Sequence, residues 1–258
     1  MSDKDRIPTN LRTLLLLEAM GRMNGRITPA ELAREVGLAK QTAHRLCMTL
    51  LDEGFLVRDD TKNSLRPGRR IRLLASGVLN ASSSHIARHQ VLMKLSASVR
   101  ETVNFVVPEV RGMTYRDRVE TDWPFRIQLP VGTHVPFHCT ASGKTYLASL
   151  PKAERRRLVH VMHLERKTPN TIVEPNDLME ELNRIAKDGY ALDREEFIEG
   201  MIAIAVPILD GAGRYVASVA FHAPVQRMSI DQAMEQRQEM LDAARRLSVV
   251  MFDDLNAA

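Results

Sequence analysis

Residues 28–54, TPAELAREVGLAKQTAHRLCMTLLDEG, read as two short helices joined by a tight turn. Thr28 and Glu31 have the spacing of a capping box, and Pro29 stands at the first helical position, where its missing N–H costs nothing. Leu32, Ala33 and Val36 share one face of the first helix. Gly37 ends it, because a glycine closes a left-handed cap cheaply. The second helix is expected from about Ala39. Its Ala43, Leu46, Cys47 and Leu50 recur at helical spacing and predict one buried stripe. The other face shows Lys40, Gln41, Thr42, His44, Arg45 and Thr49, with no carboxylate until Asp52. A packed back and a cationic, hydrogen-bonding front suit the major groove of a duplex. The plainer reading is a helical hairpin with a solvated face.

The flanks favour the first reading. Upstream, Leu11, Leu14, Leu15, Leu17 and Met20 predict a helix capped by Thr9 or Asn10 and ended by Asn24-Gly25. Downstream, residues 55–58 and 65–67 are strand-like around a polar turn at 59–64, which predicts a β-hairpin. A hairpin directly after the second helix makes a winged helix, with Lys62 and Arg66 within reach of phosphate. Charge agrees with this. Residues 1–80 hold 14 Lys and Arg against 9 Asp and Glu, and the remainder holds 22 against 23. The excess positive charge lies in the segment with the paired helices, as a nucleic-acid-binding module requires.

At 258 residues the chain has length for two domains with real cores. Hydrophobic content of 44% and charged content of 26% are those of a globular protein. No apolar run approaches a membrane span and no signal peptide is apparent. The two cysteines, Cys47 and Cys139, are too few for a disulfide framework and fit a reducing cytoplasm. A connector is expected at 69–84, ending in a small polar stretch, so the domains are drawn at 1–68, 69–84 and 85–258. The helix after it is expected to bury Ile86, Leu92, Leu95 and Val99. Hairpins at 102–119 and 201–221 mix with helices beginning near Ala141, Pro151 and Pro175. Arg155 to Arg157 are expected on an exposed side, and 193–199 as an acidic loop. A capping box of Ser229 and Gln232 opens a terminal helix. The pattern is α+β with an antiparallel sheet.

Several stretches resemble a known family. GTHVPFHCTASGKTYLA (132–148), TPNTI (168–172) and GYALDREEFIEGMIAIAVPI (189–208) follow the paired helices in the order found in the IclR family of bacterial transcription regulators. The resemblance covers nearly the whole chain. It implies an N-terminal winged helix-turn-helix domain, a dimerising linker helix and a C-terminal GAF-like effector domain. It also implies a homodimer or homotetramer on a palindromic double-stranded operator, controlled by a small organic acid. The implied effector contacts fall on Thr140, Ala141, Ser142, Asp193, Ala203, Ala220 and His222. Free amides at the start of the helix near Ala141 form an anion site in physical terms. Ala203 stands where the family often has cysteine, and Ala220 and His222 where it often has small polar residues. Leu65 and Pro67 depart from the family's wing. His222 either donates to a carboxylate or is a buried strand histidine with its own partners. Thr140 and His222 suit a short 2-oxo or 2-hydroxy acid, whereas Phe105, Trp123, Phe125 and Phe137 suggest a wall for an aromatic acid, or core.

Other motifs carry less. SGKT at 142–145 lacks the first glycine of a phosphate loop, since position 138 is histidine. Ser142, a histidine and Asp193 lack the GxSxG elbow of a hydrolase. His85 and His89 have the i, i+4 spacing of a zinc helix without its glutamate and are expected at the surface; His160 with His163 is weaker still. His138 and Cys139 read as a packed loop. No residue is assigned to catalysis, metal or cofactor. The competing reading is a metabolic enzyme on an α+β domain, with the N-terminal helices as a dimerisation module.

Overall fold

The computed structural model describes residues 7–23, 27–59, 64–81, 84–124 and 127–252. The chain divides into two compact units, residues 1–82 and 83–258. The expected stop at Asn24-Gly25, the hairpin tip with Lys62, and Phe125 lie outside the described residues.

The first unit holds α1 (Thr9–Arg22), α2 (Pro29–Val36), α3 (Lys40–Asp52), β1 (Leu56–Arg58), β2 (Leu65–Pro67) and α4 (Arg69–Ala81). Thr28 and Glu31 form the capping box, each satisfying the other's backbone N–H. Gly37 closes α2 at φ 72°. One core gathers Leu16 and Met20 of α1, Leu32 of α2, Ala43, Cys47 and Leu50 of α3, and Leu56 and Leu65 of the hairpin. Strands β1 and β2 are antiparallel, with Val57 opposite Arg66. Thr9 is not a cap. It lies inside α1, and Pro8 stands at the N-cap with no side-chain bond.

The second unit holds α5 (Ser84–Val99), β3 (Thr102–Glu109), β4 (Gly112–Val119), β5 (His134–Val135), α6 (Ala141–Ser149), α7 (Lys152–Val161), α8 (Pro175–Asp188), β6 (Ala191–Arg194), β7 (Met201–Leu209), β8 (Tyr215–Pro224), α9 (Ile230–Glu235) and α10 (Arg237–Phe252). The strands form one antiparallel sheet in the order β5-β4-β3-β8-β7-β6. Strand β7 explains the layering. Its Ile202, Ile204, Val206 and Ile208 join a core with Leu92, Leu95, Met240 and Leu247 of α5 and α10. The alternate Ala203 and Ala205 face a second core with Leu147, Leu178 and Leu182 of α6 and α8. Side chains alternate across a strand, so one run of sequence serves both layers. The small alanines bring α6 close to the sheet.

Four expectations fail in this unit. Ile86 is 67% exposed, and Arg88 takes the buried place on α5. Its Nε donates to Asp117 Oδ2 at 3.1 Å and its guanidinium stacks on Phe105. Arg155 is buried, donating Nη1 to the Leu182 carbonyl at 2.9 Å. Asp193 belongs to β6, which runs to Arg194, so the acidic loop begins only at 195, and Glu196 turns inward from it. The terminal helix is two helices, α9 and α10, divided at Gln236.

Candidate functional sites

The first candidate is the front of α3. Lys40, Gln41, His44, Arg45 and Thr49 are exposed, and Thr42 is half-buried at the edge of the face. Successive residues turn by about 100°, so 40, 41, 44, 45 and 49 share one side while 43, 47 and 50 point into the core. Among the described residues, Lys40 and Arg45 make no ion pair and no side-chain hydrogen bond. A cation with no acceptor among the described residues is available to a phosphate or a base edge. Arg66 is exposed on β2.

The second candidate is a cavity at the start of α6. Thr140 caps this helix: its Oγ1 accepts from Gly143 N at 3.1 Å and donates to the Pro136 carbonyl at 2.7 Å. The N–H groups of Ala141 and Ser142 are the first two of the helix, which have no acceptor within it. Gly143 lies so close to the preceding loop that an added Cβ would sit 2.4 Å from the Phe137 carbonyl oxygen. That close approach packs the helix start against the loop before it.

All seven residues assigned through the resemblance, Thr140, Ala141, Ser142, Asp193, Ala203, Ala220 and His222, line this one cavity, and each is buried. Its volume is about 20 Å³, room for about one water molecule. Asn104, Tyr115, Phe197, Met201 and Phe221 complete the lining. The aromatic wall is therefore not the expected one. Phe105 belongs to the core on the other side of the sheet, Phe137 packs against Tyr146, and Trp123 is 42% exposed.

Two titratable groups border the cavity. Asp193 Oδ1 accepts from Glu196 N at 2.7 Å and Phe197 N at 3.4 Å, while Oδ2 has no partner among the described residues. Burial, then the Glu196 carboxylate, push its pKa up to about 7 against the pull of Lys144. His222 is the opposite case. Burial, then the Arg118 guanidinium, push its pKa down to about 4. Its Nδ1 lies 3.2 Å from Asn104 Nδ2, and its Nε2 lies 3.4 Å from the Ile127 carbonyl. His222 thus has a partner of its own at each ring nitrogen.

Sequence reasoning missed the polar framework behind this cavity. Arg118 donates Nη1 to Asn104 Oδ1 at 3.1 Å and to the Leu129 carbonyl at 2.8 Å, and Nη2 to the Ile127 carbonyl at 2.8 Å. Lys144, fully buried, pairs with Glu196 and lies 3.6 Å from Glu181. Lys144 interrupts an otherwise small or apolar run, a signal available beforehand, whereas Arg118 sits among other charged residues.

The decoys resolve simply. His85 is exposed, but His89 is partly covered and its Nδ1 lies 2.9 Å from Asp117 Oδ1. Among the described residues no group of His, Cys, Asp and Glu is arranged to hold a metal, and no helix is long and apolar enough to cross a membrane. His138 Nε2 lies 2.9 Å from the Glu165 carbonyl, and Cys139 is a buried thiol whose pKa burial pushes up to about 12.

Comparison with known proteins separates the remaining readings. Residues 11–60 match the model of the IclR helix-turn-helix domain, and residues 79–249 match that of the bacterial transcriptional regulator IclR C-terminal domain. The probable transcriptional regulator SauR of Cupriavidus necator is 36% identical over 224 residues, 87% of this chain and 89% of that protein. The crystal structure of the Thermotoga maritima IclR superposes with a TM-score of 0.63 at 27% identity, covering 94% of this chain and 98% of that one. A double mutant of the PobR inducer-binding domain from Acinetobacter, solved with 3-hydroxybenzoic acid, superposes with a TM-score of 0.59 at 26% identity, covering 65% of this chain and 98% of that one. The matched families and relatives are transcriptional regulators, and the metabolic-enzyme reading falls. The chain belongs to the IclR family of bacterial transcriptional regulators, with a DNA-binding helix-turn-helix at its N-terminus and an effector domain at its C-terminus.

Proposed function

We propose that residues 1–68 bind a palindromic operator, that 69–84 link and dimerise, and that 85–258 sense a small organic acid in the cytoplasm. Lys40, Gln41 and Thr42 read base edges, with His44 beside them. Arg45, Lys62 and Arg66 hold phosphates. Lysine favours the guanine acceptors and glutamine the adenine edge, which gives a mixed readout. The protein acts as a homodimer or homotetramer, its half-sites about one helical turn or a multiple apart.

The observation that carries the effector half is the cavity at the N-terminus of α6. The Ala141 and Ser142 amides and the positive end of the helix dipole favour a carboxylate. Thr140, Asp193, Ala203, Ala220 and His222 shape the remainder. With room for about one water, the cavity must widen for any acid, and it widens least for a short 2-oxo or 2-hydroxy acid. An aromatic acid is the second reading, supported by the ligand of the PobR domain and by Tyr115 and Phe197 in the lining. Ligand preference for one arrangement of the protein over another changes operator affinity.

Mobility-shift assays on a duplex selected by the protein from a random-sequence pool test the first half. Lys40→Ala and Arg45→Ala should each weaken binding, and unchanged binding would refute the reading face. Thermal-shift titration with pyruvate, lactate and 3-hydroxybenzoate tests the second half. A ligand that binds only the folded state raises the melting temperature, by about 2.7 kcal/mol of stability at a hundredfold excess over Kd. No shift with any of the three would refute the proposed acid classes.

A further inference from the structure

Helix α3 ends badly on its own account. Its last residue is Asp52 and its C-cap is Glu53, so two carboxylates stand at the negative end of the dipole, and the last turn holds no basic residue. The local backbone closes part of the end. Glu53 N donates to the Thr49 carbonyl, Gly54 N to Leu51 and Phe55 N to Leu50, at 3.0, 3.0 and 2.9 Å. The Glu53 carbonyl is met from elsewhere. Arg70, on the first turn of α4, donates Nη1 both to that carbonyl and to Glu53 Oε2, each at 2.9 Å. Its guanidinium lies over the Phe55 ring, 4.2 Å from the centroid.

The backbone makes this contact stiff. Gly68 N donates to the Phe55 carbonyl at 2.6 Å, and an added Cβ on Gly68 would sit 2.4 Å from the Gly54 carbonyl oxygen. Arg72 Nη1 returns to the Pro67 carbonyl at 3.1 Å. The start of α4 and the end of α3 are therefore held as one piece within this unit.

We propose that Arg70 is a positioning residue for DNA recognition: it fixes the C-terminal end of α3 to the start of α4, and so sets the angle at which the α3 front meets the groove. A lysine cannot take its place, because the function needs a planar group that stacks on Phe55 while donating to a carbonyl and a carboxylate. The Arg70–Glu53 pair is exposed, each side chain more than half open to solvent. Exposed pairs add little stability, so the contact acts on orientation. The inference rests on α3 being the reading helix.

The test uses the full chain and the selected duplex described above, well below the melting temperature. Arg70→Ala should weaken binding to the selected duplex by roughly three- to tenfold and to a random duplex much less, so that discrimination falls. The slope of log K against log salt should stay as in the wild type. Arg70→Lys should fail to restore discrimination. A slope shallower by about one would make Arg70 a phosphate contact and overturn the proposal. So would full rescue by Arg70→Lys, or unchanged discrimination in Arg70→Ala. Lys40→Ala, run alongside, isolates the premise: unchanged discrimination there removes α3 as reader and the proposal with it.

Discussion

Asn104 Nδ2 lies 3.2 Å from His222 Nδ1, joining neighbouring strands β3 and β8 behind the cavity. Asn104 Oδ1 is already taken by Arg118 Nη1, so its amide must present the donor to the histidine. His222 Nδ1 is then an acceptor, and the ring proton belongs on Nε2, toward the Ile127 carbonyl. One buried arginine thereby sets the tautomer of a histidine through the asparagine between them.

His222 and Asp193 give opposite pH dependences. The folded pKa of His222 is about 4 against an ordinary 6.5. Its contribution is whole above pH 6.5 and is lost as the pH falls toward 4, because the unfolded chain takes up the proton first. Asp193 has a folded pKa of about 7 against an ordinary 3.8. It binds its proton in the folded state first, so it stabilises progressively as the pH falls from 7 toward 4. Melting temperatures measured from pH 7.5 to 4.5 should drop more steeply for Asp193→Asn than for wild type, and less steeply for His222→Gln. Three parallel curves would contradict the assignment.

Lys144 is the cation for a buried acid. Lys144→Met leaves Glu196 in the protein interior with no counter-charge, and the expected loss of stability is about 3–5 kcal/mol. Removing both partners in Lys144→Met/Glu196→Leu should recover much of it, since the uncompensated charge goes with them. Denaturant unfolding of the four proteins forms the cycle. A double variant no better than Lys144→Met would mean that packing, rather than charge, dominates at this position.

Gly143→Ala probes the approach of α6 to its preceding loop. The new Cβ would meet backbone atoms of Phe137 at 2.4 and 2.5 Å, and backbone cannot step aside cheaply. The expected cost is about 1–3 kcal/mol, with the thermal response to any acid weakened because the amide end of α6 must move. Gly211→Ala is the control, since no atom lies within 4 Å of its added Cβ and its φ is not positive. Equal effects from the two would rule out the steric account.

The amino-acid sequence by itself determined the elements with local causes. The Thr28–Glu31 capping box, the left-handed Gly37 and the stripe of Ala43, Cys47 and Leu50 all act within a few residues, so spacing alone exposes them. The signature stretches at 132–148 and 189–208 resembled one family closely enough to bring Thr140, Asp193 and His222 to attention before the cavity between them was visible. Tertiary structure decided everything that depends on which strands lie side by side. Arg118 reaches Asn104 from β4 to β3, and Lys144 reaches Glu196 across 52 positions of sequence. Arg155, expected on an exposed side, sits in the interior, and so does Arg88, because each found an acceptor there that only the folded chain supplies. A buried charge is tolerable only with its partner in place, and partners distant in sequence leave no period to read.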